Sequence, residues 1–296
     1  MTQSFAVCAL AAGAYAQIAH EPLLPYVETV PNTVVEFSMV PVASGMVTLT
    51  TRDNETMMFN VDPFWVASTE TTWDLYDIYV YKLDGDVGNE ITANKDQQAS
   101  GTSTASADAI SRPTKPYLPP DRGFGHAGYP AMSITYEGAT NFCKWLSVRT
   151  GKHYRLPTEA EWALVADRAK KPVGVNTEIG IEVTGWNKGN CNFTTHPVAQ
   201  IDKREPGVYD IFGNVAEWVT GADGMPVAAG GSYVDAQADI GPNARVYQTS
   251  AWNQSDPQFP KSQWWLADCS FVGFRVVCDP TPVKPSEETP GTPDAK

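Results

Sequence analysis

The chain has 296 residues, of which 42% are hydrophobic and 11% aromatic, and it carries a formal net charge of −13 with a pI ≈ 4.7. This composition is typical of a globular protein with a sizeable core, and the length fits one large domain or two average ones. The acidic balance argues against a nucleic-acid backbone or an anionic membrane surface as partner, because both are negatively charged.

Residues 1–16 have the features of a signal peptide. An apolar run from Phe5 to Ala12 is followed by Ala14-Tyr15-Ala16, an A-x-A cleavage pattern. The stretch before the apolar run has no Lys or Arg, so a buried N-terminal strand is the alternative. We expect export to a periplasmic, cell-surface or extracellular location. No later segment approaches the ~20 apolar residues of a membrane span, so none is expected.

Two later stretches favour disorder. Residues 94–113, NKDQQASGTSTASADAISRP, contain almost no large apolar side chains and cannot bury enough surface to offset the entropy of ordering. Residues 279–296, DPTPVKPSEETPGTPDAK, alternate proline with charge, which is typical of an extended, solvated tail. We expect an insertion and a C-terminal tail outside the folded core.

Two helices are predicted between these stretches. In SITYEGATNFCKWLSVRTGK, Thr135 is in position to cap a helix that Gly151 ends. Its apolar residues recur at helical spacing and predict one buried face. In RLPTEAEWALVADRAKKP, Thr158 and Glu161 have the spacing of a capping box, with Pro172 ending the run.

The remaining segments indicate short strands and long loops. VVEFSMVPV, GMVTLT and FVGFRVV are rich in β-branched and apolar residues. Strands and helices do not alternate in a βαβ rhythm. The sequence therefore predicts an irregular α+β domain with few helices, short antiparallel strands and long loops.

Five blocks in order resemble the formylglycine-generating enzyme (sulfatase-modifying factor) family: GYPAMSITYEGATNFCKWLSVRTGKHYRLPTEAEWALVA, THPVAQ, PGVYDIFGNVAEWV, GGSY and FVGFRVV. VDPFWVASTETTWDLYDIYV is similar to the family's first block, an aromatic-rich strand and a short helix. The resemblance implies the family's variant of the C-type lectin fold, as one domain over residues 30–278 interrupted by the insertion.

The resemblance also implies a copper site that this chain lacks. The family's oxidases bind copper through two cysteines shortly after the GGS block and oxidise a sulfatase cysteine to formylglycine. Those positions hold Asp235 and Ile240 here. A carboxylate is a hard ligand and an aliphatic side chain is none, whereas Cu(I) prefers thiolates. Copper is therefore unexpected, although Cys269 could supply one displaced thiol.

Two further features are implied by the resemblance alone. In the family a cysteine at the position of Cys143 can pair with one directly after the GFR strand; here the cysteine lies two positions later, as Cys278, and Cys143–Cys278 is the implied disulfide. A family calcium site corresponds to the turn holding Gly213, Asn214, Val215 and Glu217, where backbone carbonyls and one carboxylate would bind the ion. The alternative for this turn is a purely structural role. Calcium is thus the cofactor that the sequence suggests.

The leading functional hypothesis is an exported, non-catalytic binding or structural module on this scaffold. Its ligand, a protein, peptide or carbohydrate, would occupy a groove lined by Ser232, Trp218, Tyr233, Asp235 and Tyr247. The alternative is a copper- and oxygen-dependent oxidase acting on protein cysteine through a displaced thiol site. Retained scaffold blocks beside a replaced cysteine pair favour the first hypothesis.

Overall fold

The computed structural model describes residues 22–85, 110–172, 181–182 and 184–280. Over these ranges it has three α-helices: α1 Trp73–Tyr81, α2 Tyr136–Thr150 and α3 Glu159–Ala169. Over the same ranges it has thirteen strands: β1 Tyr26–Thr29, β2 Glu36–Val42, β3 Gly45–Thr50, β4 Thr56–Val61, β5 Phe64–Ala67, β6 His153–Arg155, β7 Lys171–Pro172, β8 Ile181–Glu182, β9 Ala216–Thr220, β10 Pro226–Gly230, β11 Gly241–Val246, β12 Val272–Gly273 and β13 Val277–Asp279.

The strands form two main sheets and two short hairpins. The first sheet has the order β1-β2-β5-β13-β6 and is antiparallel throughout. The second has the order β11-β10-β9-β12, with only the β12–β9 pair parallel. Because β13 lies between β5 and β6, the end of the domain is inserted among its earlier strands. The predicted irregular α+β fold is confirmed.

The predicted helix signals act as expected. The Thr135 hydroxyl accepts a hydrogen bond from the Gly138 N–H at 2.9 Å, and Gly151 ends α2 with φ 71°. The capping box of α3 is complete, with the Thr158 side chain and the Glu161 side chain each bonding the other's backbone. The helix ends at Ala169, earlier than Pro172, because a residue before proline is pushed to extended backbone and β7 begins there.

The main core is aromatic and joins α1 and α2 to the segment between β12 and β13. Tyr76 of α1 packs on Phe142 of α2 and on Phe274, with ring centroids 5.4 and 5.9 Å apart. Phe142 contacts Trp145 at 5.4 Å as well. The predicted apolar face of α2 is buried. Tertiary packing of large rings therefore stabilises a domain that has little regular structure.

Two predicted boundaries need correction. Arg112, placed in the insertion by composition, has a side chain that is only 7% exposed and forms an ion pair with Asp84 at 3.3 Å. Asp279, assigned to the tail, belongs to β13 and contacts Arg155 at 2.6 Å. In both cases a charged side chain finds a buried or half-buried partner that composition does not reveal. The predicted signal peptide and the rest of the insertion and tail lie outside the described residues.

None of the helices in the described ranges is both long enough and apolar enough to cross a lipid bilayer.

Candidate functional site

The groove predicted from the sequence is closed at three of its five residues. Trp218 and Ser232 have no exposed surface and Tyr233 is 4% exposed. The Trp218 indole N–H donates to the Ile134 carbonyl at 2.8 Å, so this ring is part of the core. Asp235 is half-buried and Tyr247 exposed. The groove assignment is therefore wrong for the buried residues, which the sequence pattern could not distinguish from a pocket lining.

Tyr233 is held from two sides. Its ring packs edge-on against Phe124 at 5.6 Å, and its hydroxyl lies 2.8 Å from the Ser270 hydroxyl. Burial raises the pKa of Tyr233 above its ordinary value, so the phenol stays neutral. A neutral, packed phenol stabilises the loop after β10 and offers no open surface to a ligand.

The two positions where the family's oxidases carry cysteine now have structural roles. The Asp235 carboxylate accepts hydrogen bonds from the Ser232 N–H and the Ser232 hydroxyl, both at 2.8 Å. Ile240 is buried in the second hydrophobic cluster, with Trp162 and Phe212. One position caps a turn and the other fills the core. These residues do not fit a soft metal ion that prefers thiolates.

The four cysteines of the described chain, Cys143, Cys191, Cys269 and Cys278, are buried free thiols. The predicted Cys143–Cys278 disulfide is therefore not formed in the structure. The Cys278 thiol lies beside the Tyr26 hydroxyl and donates to the Asp279 carbonyl at 3.6 Å, whereas Cys143 sits on the core face of α2. Burial raises the pKa of Cys269 to about 12 and also raises that of Cys143 and Cys278.

Alkylation of the unfolded, non-reduced protein is expected to label both Cys143 and Cys278. Native protein should react slowly at both positions, because a buried neutral thiol is a poor nucleophile. Peptide mass spectrometry after iodoacetamide treatment, with and without prior reduction, measures this directly. A Cys143–Cys278 linked peptide in the non-reduced sample would contradict the structure and restore the disulfide.

The predicted calcium turn is built around a buried ion pair. Glu217 is fully buried and accepts hydrogen bonds from Arg275 at 2.7 and 3.0 Å. Its second oxygen accepts from the Trp162 indole N–H at 2.9 Å. The Asn214 side chain donates to Glu70 at 2.7 Å and accepts from the His196 N–H at 2.9 Å. Glu217, the one side chain expected to bind calcium, is thus already bonded within the protein, and so is the neighbouring Asn214 side chain.

In the structure these residues favour the structural alternative. The guanidinium of Arg275 neutralises the Glu217 carboxylate, whereas a calcium ion takes six to eight oxygen ligands. This favours a structural role for the turn formed by Gly213, Asn214 and Val215, and the calcium site stays a prediction.

Two acidic residues near this turn were not predicted from the sequence as site residues. Glu70 accepts from the Val215 N–H at 3.0 Å and Asp210 accepts from the Ala199 N–H at 2.7 Å. Burial raises the pKa of Asp210 to about 6, and burial with Asp210 and Glu217 nearby raises that of Glu70. Three carboxylates thus surround one Arg275. A carboxylate next to an apolar block, as in ASTETTW, is the signal that could have found Glu70.

Open space lies elsewhere on the surface. One cavity of about 540 Å³, here named the polar cavity, is formed by the loop after β11 and the segment before β12. Its lining is mostly hydroxyl and amide side chains: Thr135, Gln248, Thr249, Ser250, Asn253, Gln254 and Ser262, with Lys261 and Leu266. Tyr247, the exposed member of the predicted groove, precedes this segment directly in the chain.

Solved structures share this fold at low sequence identity. Treponema denticola variable protein 1 aligns with a TM-score of 0.57 and 20% identity, covering 87% of this chain and 100% of its own. PvdO from Pseudomonas aeruginosa aligns with a TM-score of 0.54 and 21% identity, covering 88% of this chain and 100% of its own. At such identity the likeness establishes the fold alone.

Curated relatives match over shorter stretches. The serine/threonine-protein kinase Pkn1 of Chlamydia trachomatis is 36% identical over 97 residues, and that of Chlamydia caviae is 31% identical over 134 residues. These matches span 32% and 42% of this chain but 14% and 19% of the kinases. The family model of the sulfatase-modifying factor enzyme 1-like domain matches residues 26–280. The chain therefore belongs to the sulfatase-modifying factor, or formylglycine-generating enzyme-like, family.

Proposed function

We propose that this protein is an exported, non-catalytic binding module that takes a carbohydrate in the polar cavity. The observation that carries the proposal is the lining of that cavity. The side chains of Gln248, Thr249 and Ser250 make no hydrogen bond to any other residue in the described part of the chain. Unpaired neutral donors and acceptors around an open cavity suit a polyhydroxylated ligand.

Aromatic surface in the same part of the chain supports the same ligand class. Phe259, on the loop that leads to Lys261, is 99% exposed. Tyr247 is 37% exposed, and the Arg52 guanidinium lies over one face of its ring, 4.2 Å from the centroid. An exposed aromatic face can stack on a sugar ring while amides and hydroxyls bond its hydroxyl groups. A peptide would use the same donors and acceptors and is the competing outcome. Export is proposed from the A-x-A pattern of residues 14–16.

A displaced-thiol oxidase receives less support. Its one candidate thiol near the last strand, Cys269, has no exposed surface. With a pKa raised to about 12 by burial, this thiol would remain protonated at neutral pH and would be a poor ligand or nucleophile. The two positions where the family's oxidases carry cysteine hold Asp235 and Ile240, so no second thiol is present there.

Glycan-array screening followed by calorimetry tests the binding function. The double variant Gln248→Ala/Thr249→Ala should weaken binding of the selected saccharide about tenfold, because two hydrogen bonds are lost at roughly 0.5–1.5 kcal/mol each. The matched control is Asn243→Ala, an exposed amide on β11 outside the cavity, which should bind normally. Failure of every saccharide to bind, or equal loss in both variants, would overturn the proposal; selective peptide binding would replace its ligand class.

A further inference from the structure

A second cavity lies away from the loop after β10 and from the polar cavity. It has a volume of about 570 Å³ and is formed by the β4–β5 corner, the first turn of α3, the end of β9 and the end of β13. Ligand cavities of small molecules typically measure roughly 300–1,000 Å³. With Leu49 of β3, five segments of the sequence meet here, so no local motif predicts the site. We name it the acidic cavity.

The lining of the acidic cavity carries four carboxylates and one guanidinium. Arg155 bridges Glu161 and Asp279, each at 2.6 Å, and the His153 imidazole also lies 2.6 Å from the Asp279 carboxylate. Glu159 pairs with Arg245 at 2.7 Å, a residue outside the lining. The local charge balance is therefore negative.

Asp62 is the group that needs a partner. It is exposed at the β4–β5 corner, and its carboxylate makes no hydrogen bond or ion pair to another residue in the described ranges. The negative charge it adds to the rim is not compensated within the described protein. A cation entering the cavity would meet this free carboxylate together with the shared pair at Glu161 and Asp279.

The N-terminus of α3, which lines the cavity, does not change the preference for a positively charged ligand. An uncapped helix N-terminus attracts anions. In α3, however, the Thr158 hydroxyl accepts from the Glu161 N–H at 3.2 Å, and Glu161 itself places a carboxylate over the terminus. The capping box thus satisfies the terminus with the protein's own groups, and the surplus carboxylates decide the charge of the preferred ligand.

Part of the lining is apolar. Leu49 and Phe64 are buried, and the half-buried Phe59 leaves apolar surface at the cavity. An alkyl stem can bury apolar surface against Phe59 while its charged end stays near carboxylates. We propose that the acidic cavity binds a protonated amine or guanidinium carried on an alkyl stem. Two sources share this chemistry, a free polyamine and a lysine or arginine side chain of a partner protein.

Calorimetric titration of the full chain with spermidine and with the peptides acetyl-Gly-Lys-Gly-amide and acetyl-Gly-Arg-Gly-amide tests the proposal. Asp62→Asn should weaken binding of the favoured probe about fivefold at low salt, the upper end of what one exposed ion pair contributes. The matched control is Asp53→Asn, which removes an equal charge from the β3–β4 turn outside the cavity and should leave binding unchanged. Neither substitution breaks a contact within the described residues, so both variants should fold.

The outcomes separate the sources. Tighter binding of spermidine than of the peptides indicates a free polyamine, and the reverse indicates a basic side chain of a partner. The acetyl-lysine form of the peptide, which has no positive charge, should not bind. Absence of binding by all three cationic probes would overturn the proposal. Equal weakening by Asp53→Asn would overturn it too, because attraction to the net charge of −13 would then explain the signal.

Discussion

Replacing Arg275 with alanine is expected to lower the free energy of unfolding by about 3–5 kcal/mol. Arg275 has no exposed surface and bonds Glu217 through two nitrogens, at 2.7 and 3.0 Å. It also donates to the carbonyls of Ala67 and Tyr209, at 2.9 and 2.7 Å. Truncation would leave a buried carboxylate without its counter-ion and would remove the hydrogen bonds that tie Arg275 to the end of β5 and to the loop that holds Tyr209.

Urea denaturation at pH 7, followed by tryptophan fluorescence, measures this loss. The matched control is Arg52→Ala, since Arg52 is 42% exposed and its ion pair with Asp223 spans 3.7 Å. Exposed pairs contribute about 0–1 kcal/mol, so the control should remain close to the parent protein. Similar losses in the two variants would show that the Arg275–Glu217 pair does not organise the core as described.

Substituting Gly213 with alanine is expected to cost about 3 kcal/mol or more. Gly213 has φ 80°, in the left-handed region where a side chain costs about 1–2 kcal/mol. In addition, a Cβ atom at this position would lie 2.3 Å from the Trp186 carbonyl oxygen. The neighbouring Asn214 N–H donates to that same carbonyl at 2.8 Å, so the two backbone segments cannot separate without losing a bond.

Gly224→Ala separates the two contributions. Gly224 has φ 77°, and a Cβ atom there would meet nothing within 4 Å. This control keeps the unfavourable backbone conformation and removes the close approach, so it should cost about 1 kcal/mol. Thermal unfolding of both variants under the same conditions gives the comparison. Equal destabilisation by Gly213→Ala and Gly224→Ala would mean that the turn can shift to accommodate a Cβ atom. Its close packing against Trp186 would then contribute little to stability.

Local features of this fold could be predicted from the sequence. The caps at Thr135 and Thr158, the glycine end at Gly151 and the strand Gly45–Thr50 depend on residues a few positions apart. Such signals act through short-range hydrogen bonds and backbone preferences. They can therefore be recognised in a short stretch of sequence without knowing how the rest of the chain folds. The ordered blocks then indicated the family correctly.

The site could be predicted in part only, because its contacts are long-range. Glu217 was expected to face a cation, yet its partner is Arg275, 58 residues away. Trp218 was assigned to a groove, although its indole donates to Ile134 in the core. Whether a side chain is buried decides between these interpretations. The identity of a residue in or near a family motif does not show whether its side chain is buried. Both cavities are assembled from separate segments and were not foreseen.

The structure gives Asp235 and Ile240 roles that a thiol pair would not have. Asp235 holds the Ser232 turn, and Ile240 completes an apolar cluster. A scaffold can thus keep its fold while the positions of its reactive groups serve stability. This substitution is the central claim on which the proposed binding function rests.

Mass spectrometry of a cysteine-containing sulfatase peptide tests that claim most directly. The protein, supplied with copper and dioxygen, is incubated with the peptide, and the product is examined for conversion of cysteine to the aldehyde formylglycine. We expect no aldehyde above a control without the protein, and no tight Cu(I) binding that Cys269→Ser abolishes. Catalytic turnover of the peptide, lost in Cys269→Ser, would contradict the claim and establish a displaced thiol site.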